Sequence, residues 1–142
     1  MTSPIELVLA NRPSEIARLQ DRLESLASEH AISSKALHEV QLAVEEHLTN
    51  VLNHGYGDQA EHQILVRLQV EAGSLLLEVE DDGGAFNPLE HPEPNLSLPL
   101  DQRPIGGLGI HMMRKSVDRM EYRRSDGKNI LVMVKHIKAP AP

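Results

Sequence analysis

Leu75-Leu-Leu-Glu-Val-Glu-Asp-Asp-Gly83 is the stretch that decides the fold of this chain. Successive side chains of a β-strand point to opposite faces, so a strand that is half buried alternates between apolar and polar residues. One face of this stretch is apolar until it reaches Asp81, whereas Asp82 belongs to the polar face. The alternation predicts a strand from Leu75 to Asp81 that carries a carboxylate on its core side.

The carboxylate of Asp81 has two interpretations, which the strand pattern alone leaves open. A buried carboxylate is costly unless a donor meets it, and the exocyclic amine of a nucleobase is a good donor. Gly83 would then let the backbone approach a flat ligand closely. Alternatively, Asp81 caps the following turn, where Asp and Gly are common.

Periodicity and turn residues predict the remaining elements. Strands are expected at residues 5–10, 64–70, 121–124 and 129–136. Helices are expected at 15–30 with Ser14 as the cap, from Ser33 or Ser34 to about Asn53, and from about 108 to 119. Residues 71–74 predict a hairpin turn between two strands. Together these elements predict an α+β two-layer sandwich, with helices on one face of a mostly antiparallel sheet.

A second polar group lies on the middle helix of the sequence. Glu46, Asn50 and Asn53 are spaced i, i+4 and i+7, which places them on one side of a helix. A solvated helix face explains this pattern. So does a functional site in which the amide oxygen of Asn50 binds a hard cation such as Mg²⁺ and Glu46 accepts a proton. Periodicity does not choose between these interpretations.

The third group is Gly106-Gly107-Leu108-Gly109, directly before a predicted helix. Glycines at a helix N-terminus free backbone N–H groups to meet an anion such as phosphate. A flexible hinge is the structural alternative. Five of the nine prolines fall within residues 86–105, which disfavours a helix or a central strand there. A segment of this length is typical of a lid or binding loop.

Composition limits the classes of function. The chain of 142 residues is long enough for one domain, residues 1–142, with the lid at about 86–105 and a frayed tail at 138–142. A net charge of −7 disfavours direct nucleic-acid binding, and the absence of Cys excludes disulfides and thiolate metal sites. No membrane-spanning or targeting segment is evident, so a cytoplasmic protein is expected.

The three groups, in this order, resemble the motifs of one ATPase superfamily. Residues 46–56 resemble the N-box shared by gyrase, heat-shock-90 chaperones and histidine kinases, residues 81–88 its first glycine box, and residues 106–114 its second. The stretch from Gly106 through Tyr122 to Lys135 is similar to a small stand-alone branch, the bacterial anti-sigma factors that are also serine protein kinases. The resemblance covers the chain from the first strand to about Lys135.

This resemblance implies a Bergerat fold with ATP held between helices and sheet under a mobile lid. It implies that Asp81 binds the adenine amino group, that Asn50 is the metal ligand for Mg²⁺, and that Glu46 is the catalytic base. Arg103 is the nearest candidate for an arginine that meets the γ-phosphate, displaced by Pro104 and Ile105. The implied nucleotide-binding residues are Asn50, Asn53, His54, Asp81, Gly83, Phe86, Gly107, Leu108, Gly109 and Ile110.

The resemblance also implies the partners. The chain is expected to phosphorylate a serine of an anti-sigma-factor antagonist, a small domain, and to regulate the availability of a sigma factor. It leaves a homodimer open. The alternative function is a nucleotide-binding module that sequesters a partner without phosphotransfer, and a third option is a scaffold that does not bind ATP.

Overall fold

The five strands of the structure, a computed structural model that describes residues 4–90 and 107–137, form one sheet in the order β1-β2-β3-β5-β4. The elements are β1 Ile5–Ala10, α1 Pro13–His30, α2 Ser34–Asn50, β2 Gln63–Glu71, β3 Ser74–Asp81, α3 Gly107–Ser116, β4 Arg119–Ser125 and β5 Lys128–His136. Each neighbouring pair in this sheet is antiparallel. The α+β class predicted from the sequence is therefore confirmed.

Two tight turns set the register of the sheet. Ala72 and Gly73 connect β2 to β3, and Asp126 and Gly127 connect β4 to β5. All four residues have positive φ, as two-residue hairpin turns with the strand-compatible twist require. The predicted hairpin at residues 71–74 is thus confirmed, and the register places Asp81 directly opposite a residue of β5, Asn129.

The core lies between the sheet and the helices and is aliphatic. Alternate residues of β2 and β3 point into it, together with the buried residues of α2. The largest of the fully buried side chains are Leu9, Leu19, Leu23, Leu26, Leu48, Ile64, Leu68, Leu77, Met113 and Leu131. Lys135 of β5 connects the sheet to two helices. Its Nζ donates to Glu39 Oε2 of α2 at 2.9 Å and to the Ser116 carbonyl of α3 at 3.0 Å.

Helix ends differ from the prediction for local reasons. The first helix begins at Pro13, because a proline at the first helical position needs no hydrogen bond for its nitrogen, and Ser14 is not its cap. Ser33 does cap α2, accepting from the Ala36 N–H at 3.1 Å. This helix ends at Asn50 and continues as a π-helical turn, Val51–Gly55. Such π turns are frequent at functional sites.

The long Pro-rich segment is described only in its first residues. Residues 88–90 form one 3₁₀ turn, where the sequence predicts no helix. The rest of the predicted lid, including Arg103 and Gly106, and the tail at 138–142 lie outside the described residues. Within the described ranges, none of the helices has both the length and the apolar character needed to cross a membrane.

Candidate functional site

Asp81 ends β3 with its side chain buried, as the strand alternation predicts. It is 2% exposed, whereas Asp82 is exposed. Its Oδ1 accepts hydrogen bonds from the Gly83 N–H at 2.9 Å and from Asn129 Nδ2 at 3.0 Å. Burial raises the pKa of the Asp81 carboxyl, and these two hydrogen bonds oppose the rise. Since both donors meet Oδ1, the other oxygen has no donor among the described residues.

Asn129 of β5 is the residue of this region that the sequence analysis missed. Its Nδ2 donates to Asp81 and to the Gly84 carbonyl at 2.9 Å. Its Oδ1 accepts from Tyr122 Oη at 2.5 Å, from Arg124 at 3.0 Å and from the Phe86 N–H at 3.3 Å. This one buried amide therefore fixes both the carboxylate and the loop that follows it.

The loop after β3 is held against the π-helical turn at the end of α2. The Gly84 N–H donates to the Gly55 carbonyl at 2.7 Å. A Cβ placed on Gly83 would lie 2.6 Å from the same carbonyl oxygen, closer than real Cβ contacts. Glycine is needed at position 83 because a backbone carbonyl occupies the space of a side chain. The first and second polar groups of the sequence thus meet here.

Gly83→Ala is expected to destabilise the protein by about 1–3 kcal/mol, the usual cost of overpacking. The Gly55 carbonyl is backbone and cannot swing away, so the loop and the π-helical turn must separate. Gly84→Ala is the matched control, because its Cβ would lie 3.8 Å from that oxygen, an ordinary contact. Thermal unfolding of both variants checks the prediction. Equal stabilities would contradict it.

The third polar group meets the second through Gly109 and Glu46. Gly109 lies in the first turn of α3, and a Cβ placed on it would come within 2.5 Å of the Glu46 carboxyl carbon and 2.9 Å of its Oε2. The half-buried carboxylate of Glu46 therefore packs on the backbone of α3. This contact excludes the interpretation of Glu46 as part of a fully solvated helix face.

Gly109→Ala is expected to displace Glu46 while preserving the fold. The carboxylate is the end of a flexible side chain and can rotate away, and alanine is a better helix former than glycine by about 1 kcal/mol. If Glu46 is the base of a transfer reaction, the rate should fall by about a hundredfold, at the lower end of what a general base contributes. Thermal unfolding and a steady-state rate measure the two effects. A lost fold, or an unchanged rate, would contradict the prediction.

A cleft lies between the end of α2 and the end of the central strands. It holds about 280 Å³ of empty space, part of it open to solvent. The lining residues are His47, Asn50, Val51, His54, Gly55, Asp81, Gly84, Phe86 and Asn129. The Nδ2 of Asn50 and both ring nitrogens of His47 are buried here without a hydrogen-bond partner among the described residues. Buried polar atoms without partners suit a cleft that receives a polar ligand.

The remaining predicted residues divide between this cleft and other places. His54 and Phe86 line it, and Gly107 and Leu108 are the first two residues of α3. Asn53 is exposed and does not line the cleft. Ile110 is 4% exposed and its side chain belongs to the hydrophobic core, because α3 packs its apolar face inward. A nucleotide contact by the Ile110 side chain is therefore not supported.

His62 forms an ionic clamp beside the cleft. Its Nε2 lies 2.6 Å from Asp58 Oδ1, its Nδ1 lies 3.0 Å from Asp82 Oδ1, and its ring stacks on Tyr56 at a centroid distance of 4.2 Å. The hydrogen bond to Asp58, and then that to Asp82, raise the pKa of His62. The clamp joins the loop after α2 to the loop after β3.

The contribution of this clamp to stability is expected to decrease as the pH rises. A histidine whose pKa is raised in the folded state stabilises the protein at pH values below 6.5, the ordinary pKa of the side chain. This contribution disappears as the pH rises through the higher pKa of the folded state. His62→Phe keeps a ring to stack on Tyr56 but cannot titrate. Unfolding midpoints over a pH series should therefore show wild type above the variant at acidic pH, with the gap closing above 6.5. The exposed His38→Phe serves as control, and a gap independent of pH would contradict the clamp.

The comparison with known families fits this geometry. A family model described as a histidine kinase-like ATPase domain matches residues 9–135. The chain belongs to this family. The match runs from β1 through β5, so the three polar groups lie within one ATPase domain as the family defines it.

Curated relatives of this ATPase domain are named as protein kinases. This chain is 28% identical over 114 residues to the serine/threonine-protein kinase BtrW of Bordetella bronchiseptica, and the match covers 80% of each chain. It is 24% identical to the serine-protein kinase RsbW of Bacillus subtilis, covering 94% of this chain and 85% of that one. For RsbW of Listeria monocytogenes the identity is 27%, with 96% and 89% covered. These names confirm the prediction that the chain belongs to the serine-protein kinase branch and that it is an ATP-dependent protein serine/threonine kinase.

Solved structures support the fold. The RsbU and RsbW domains of a Mycobacterium tuberculosis protein match with a TM-score of 0.71 at 16% identity, over 99% of this chain. The match spans 34% of that longer chain. The histidine kinase AdeS of Acinetobacter baumannii matches with a TM-score of 0.51 at 10% identity, over 97% of this chain and 70% of that one. At these identities the likeness concerns the fold alone.

Proposed function

We propose that this ATPase domain binds Mg·ATP in the cleft and transfers the γ-phosphate to a serine of a small antagonist domain, while a sigma factor is the partner that it sequesters. The observation that carries the proposal is the convergence of three separate segments. Asp81 and Asn50 line one cleft, and Glu46, one turn from Asn50, packs on the first turn of α3. Sigma factors act in the cytoplasm, so the same proposal implies a cytoplasmic protein.

The base end of the cleft is at Asp81. Its Oδ1 is held by Gly83 and Asn129, which leaves Oδ2 to accept from the exocyclic amine of adenine. The phosphates would extend toward the N-terminus of α3, where free N–H groups and the helix dipole favour an anion. Residues 1–142 act as one domain in this proposal, with residues 86–105 covering the nucleotide.

Asn50 is the proposed ligand of the metal. Its side chain lines the cleft with Nδ2 buried and unpaired, so the amide is not committed to a structural hydrogen bond among the described residues. Mg²⁺ is commonly bound by one or two protein oxygens together with substrate phosphates, which a single amide satisfies. When bound, the ion would neutralise charge that develops on the phosphates. No group of three or more His, Asp or Glu side chains gathers as a metal site in the described ranges.

Glu46 is the proposed general base. Its carboxylate accepts the proton of the serine hydroxyl, the hydroxyl oxygen forms a bond to the γ-phosphorus, and the bond from that phosphorus to the bridging oxygen breaks to release ADP. General bases of this kind contribute about 10²–10⁴-fold to a rate. The contact of Glu46 with Gly109 would orient the carboxylate beside the first turn of α3.

A second candidate function follows from the position of Glu46. Its side chain does not line the cleft in which Asp81 and Asn50 lie. This position favours a nucleotide-binding module that sequesters a partner without phosphotransfer. In such a module Glu46 would only pack on the backbone of α3 and would take no part in a reaction. Both candidates predict binding of ATP, and they differ in whether phosphate moves.

The test is incubation of the chain with ATP labelled at the γ-phosphate and with a small antagonist domain sought among the neighbouring genes. The kinase proposal predicts label on a serine of the antagonist. The module predicts binding of ATP and of the partner with no label transferred. A scaffold that does not bind ATP predicts no thermal shift with Mg·ATP, whereas a bound nucleotide at a hundredfold excess over Kd stabilises the fold by about 2.7 kcal/mol.

A further inference from the structure

His47 is a buried histidine that the proposed reaction does not use. It lies on α2 between Glu46 and Leu48, is 4% exposed, and lines the cleft together with Asp81 and Asn129. Both of its ring nitrogens are buried without a hydrogen-bond partner among the described residues. Burial lowers the pKa of His47 to about 4, so the ring is neutral near neutral pH. A neutral imidazole carries one N–H donor and one nitrogen acceptor.

The described residues supply no partner for this ring. Asn129, which lines the same cleft, already accepts three hydrogen bonds and donates two. The next buried side chains along the chain, Leu48 of α2 and Val51 of the π-helical turn, are apolar. A leucine at position 47 would avoid burying two unpaired polar atoms, which is costly in a folded protein. An imidazole at this position therefore indicates a partner beyond the described residues, and a ligand bound in the cleft would supply one.

We propose that His47 determines nucleobase specificity by hydrogen bonding to a ring nitrogen of the bound purine, beside the contact of Asp81 with the exocyclic amine. This inference rests on the proposed ATP site. A purine offers ring nitrogens as acceptors along the same edges that carry its amine, and the imidazole N–H is a donor that fits one of them. His47 and Asp81 line the same cleft from α2 and from the sheet, so a base between them would meet both.

A purely structural role predicts a different behaviour. If His47 only fills space, an apolar residue of similar size leaves nucleotide binding unchanged. If it binds the base, the same substitution weakens binding and at the same time removes unpaired polar atoms from the apo protein. The two roles are therefore separated by measuring affinity and apo stability on one variant.

The experiment compares wild type, His47→Leu and His47→Gln by calorimetric titration with ATP and with deaza analogues of ATP, each lacking one ring nitrogen of the base. Wild type should bind one analogue about tenfold more weakly than ATP, the effect of about one hydrogen bond. His47→Leu should bind ATP about tenfold more weakly, should no longer distinguish that analogue, and should unfold at the same or a higher temperature without nucleotide. His47→Gln keeps a donor and should retain part of the affinity. His38→Leu, at an exposed position of α2, is the control.

Each outcome decides the proposal. It is overturned if wild type distinguishes none of the analogues, or if His47→Leu keeps the discrimination of wild type. If His47→Leu does not fold, His47→Gln decides, because a moved donor must change the discrimination between ATP and the analogues. A wild type that binds ATP but shows no role for His47 overturns this inference alone. A wild type that binds no ATP overturns the proposed function first, and this inference with it.

Discussion

Asp81→Asn is expected to abolish ATP binding, with an affinity loss of about a hundredfold or more, while the fold remains intact. Both structural hydrogen bonds of Asp81 run to Oδ1, an oxygen that asparagine retains. The atom that replaces Oδ2 is an amide nitrogen, so a donor would face the amine of the base. Burial raises the pKa of Asp81, which means that the charged carboxylate is disfavoured there, so a neutral amide of the same shape should be tolerated by the fold. Titration with ATP and thermal unfolding measure the two effects.

Asp82→Asn is the matched control for this substitution. It makes the same chemical change one residue later, on the opposite face of β3, where the side chain is exposed. Its affinity for ATP should equal that of wild type. If Asp81→Asn binds ATP as tightly as wild type, Asp81 only holds the following turn, and the turn-cap interpretation of the sequence is the correct one.

Glu46→Gln is expected to lower the rate of phosphoryl transfer by about 10²–10⁴-fold while ATP binding persists. Glutamine has the same shape and can keep the packing against Gly109, but it accepts no proton at neutral pH. The measurement is a single-turnover rate with labelled ATP and the antagonist, beside an ATP titration of the same variant.

Glu45→Gln provides the comparison for Glu46, because it is the preceding residue of α2 and is exposed. It should transfer phosphate at the wild-type rate. A Glu46→Gln variant that also transfers phosphate at that rate would assign Glu46 a packing role alone. A variant that loses ATP binding as well would make Glu46 part of the binding site and not a base.

The parts of the fold that depend on local periodicity were predictable from the sequence. Alternation along β3 distinguished Asp81 from Asp82, and helical spacing placed Glu46 and Asn50 on one side of α2. Both patterns depend on side chains a few residues apart, so they need no knowledge of the tertiary fold. The hairpin turn at Ala72–Gly73 was predictable for the same reason.

The contacts that assemble the cleft were not predictable, since they join residues distant in sequence. Asn129 lies 48 positions from Asp81, and only the β3–β5 register brings the two together. The local pattern marks Asn129 only weakly, as a polar residue at the start of an apolar strand. Glu46 and Gly109 likewise meet through the packing of α3 on α2. The π-helical turn displaced Asn53, which straight helical periodicity placed beside Asn50.

The central claim is that three separate segments form one nucleotide site, and backbone amide NMR tests it most directly. Mg·ATP is titrated into the isotopically labelled chain while the glycine amides are followed. The account predicts that the amides of Gly83, Gly84 and Gly109 shift together with a single Kd, whereas Gly73, at the other end of β3, does not move. Shifts confined to one segment, or no shift at saturating ATP, would contradict it.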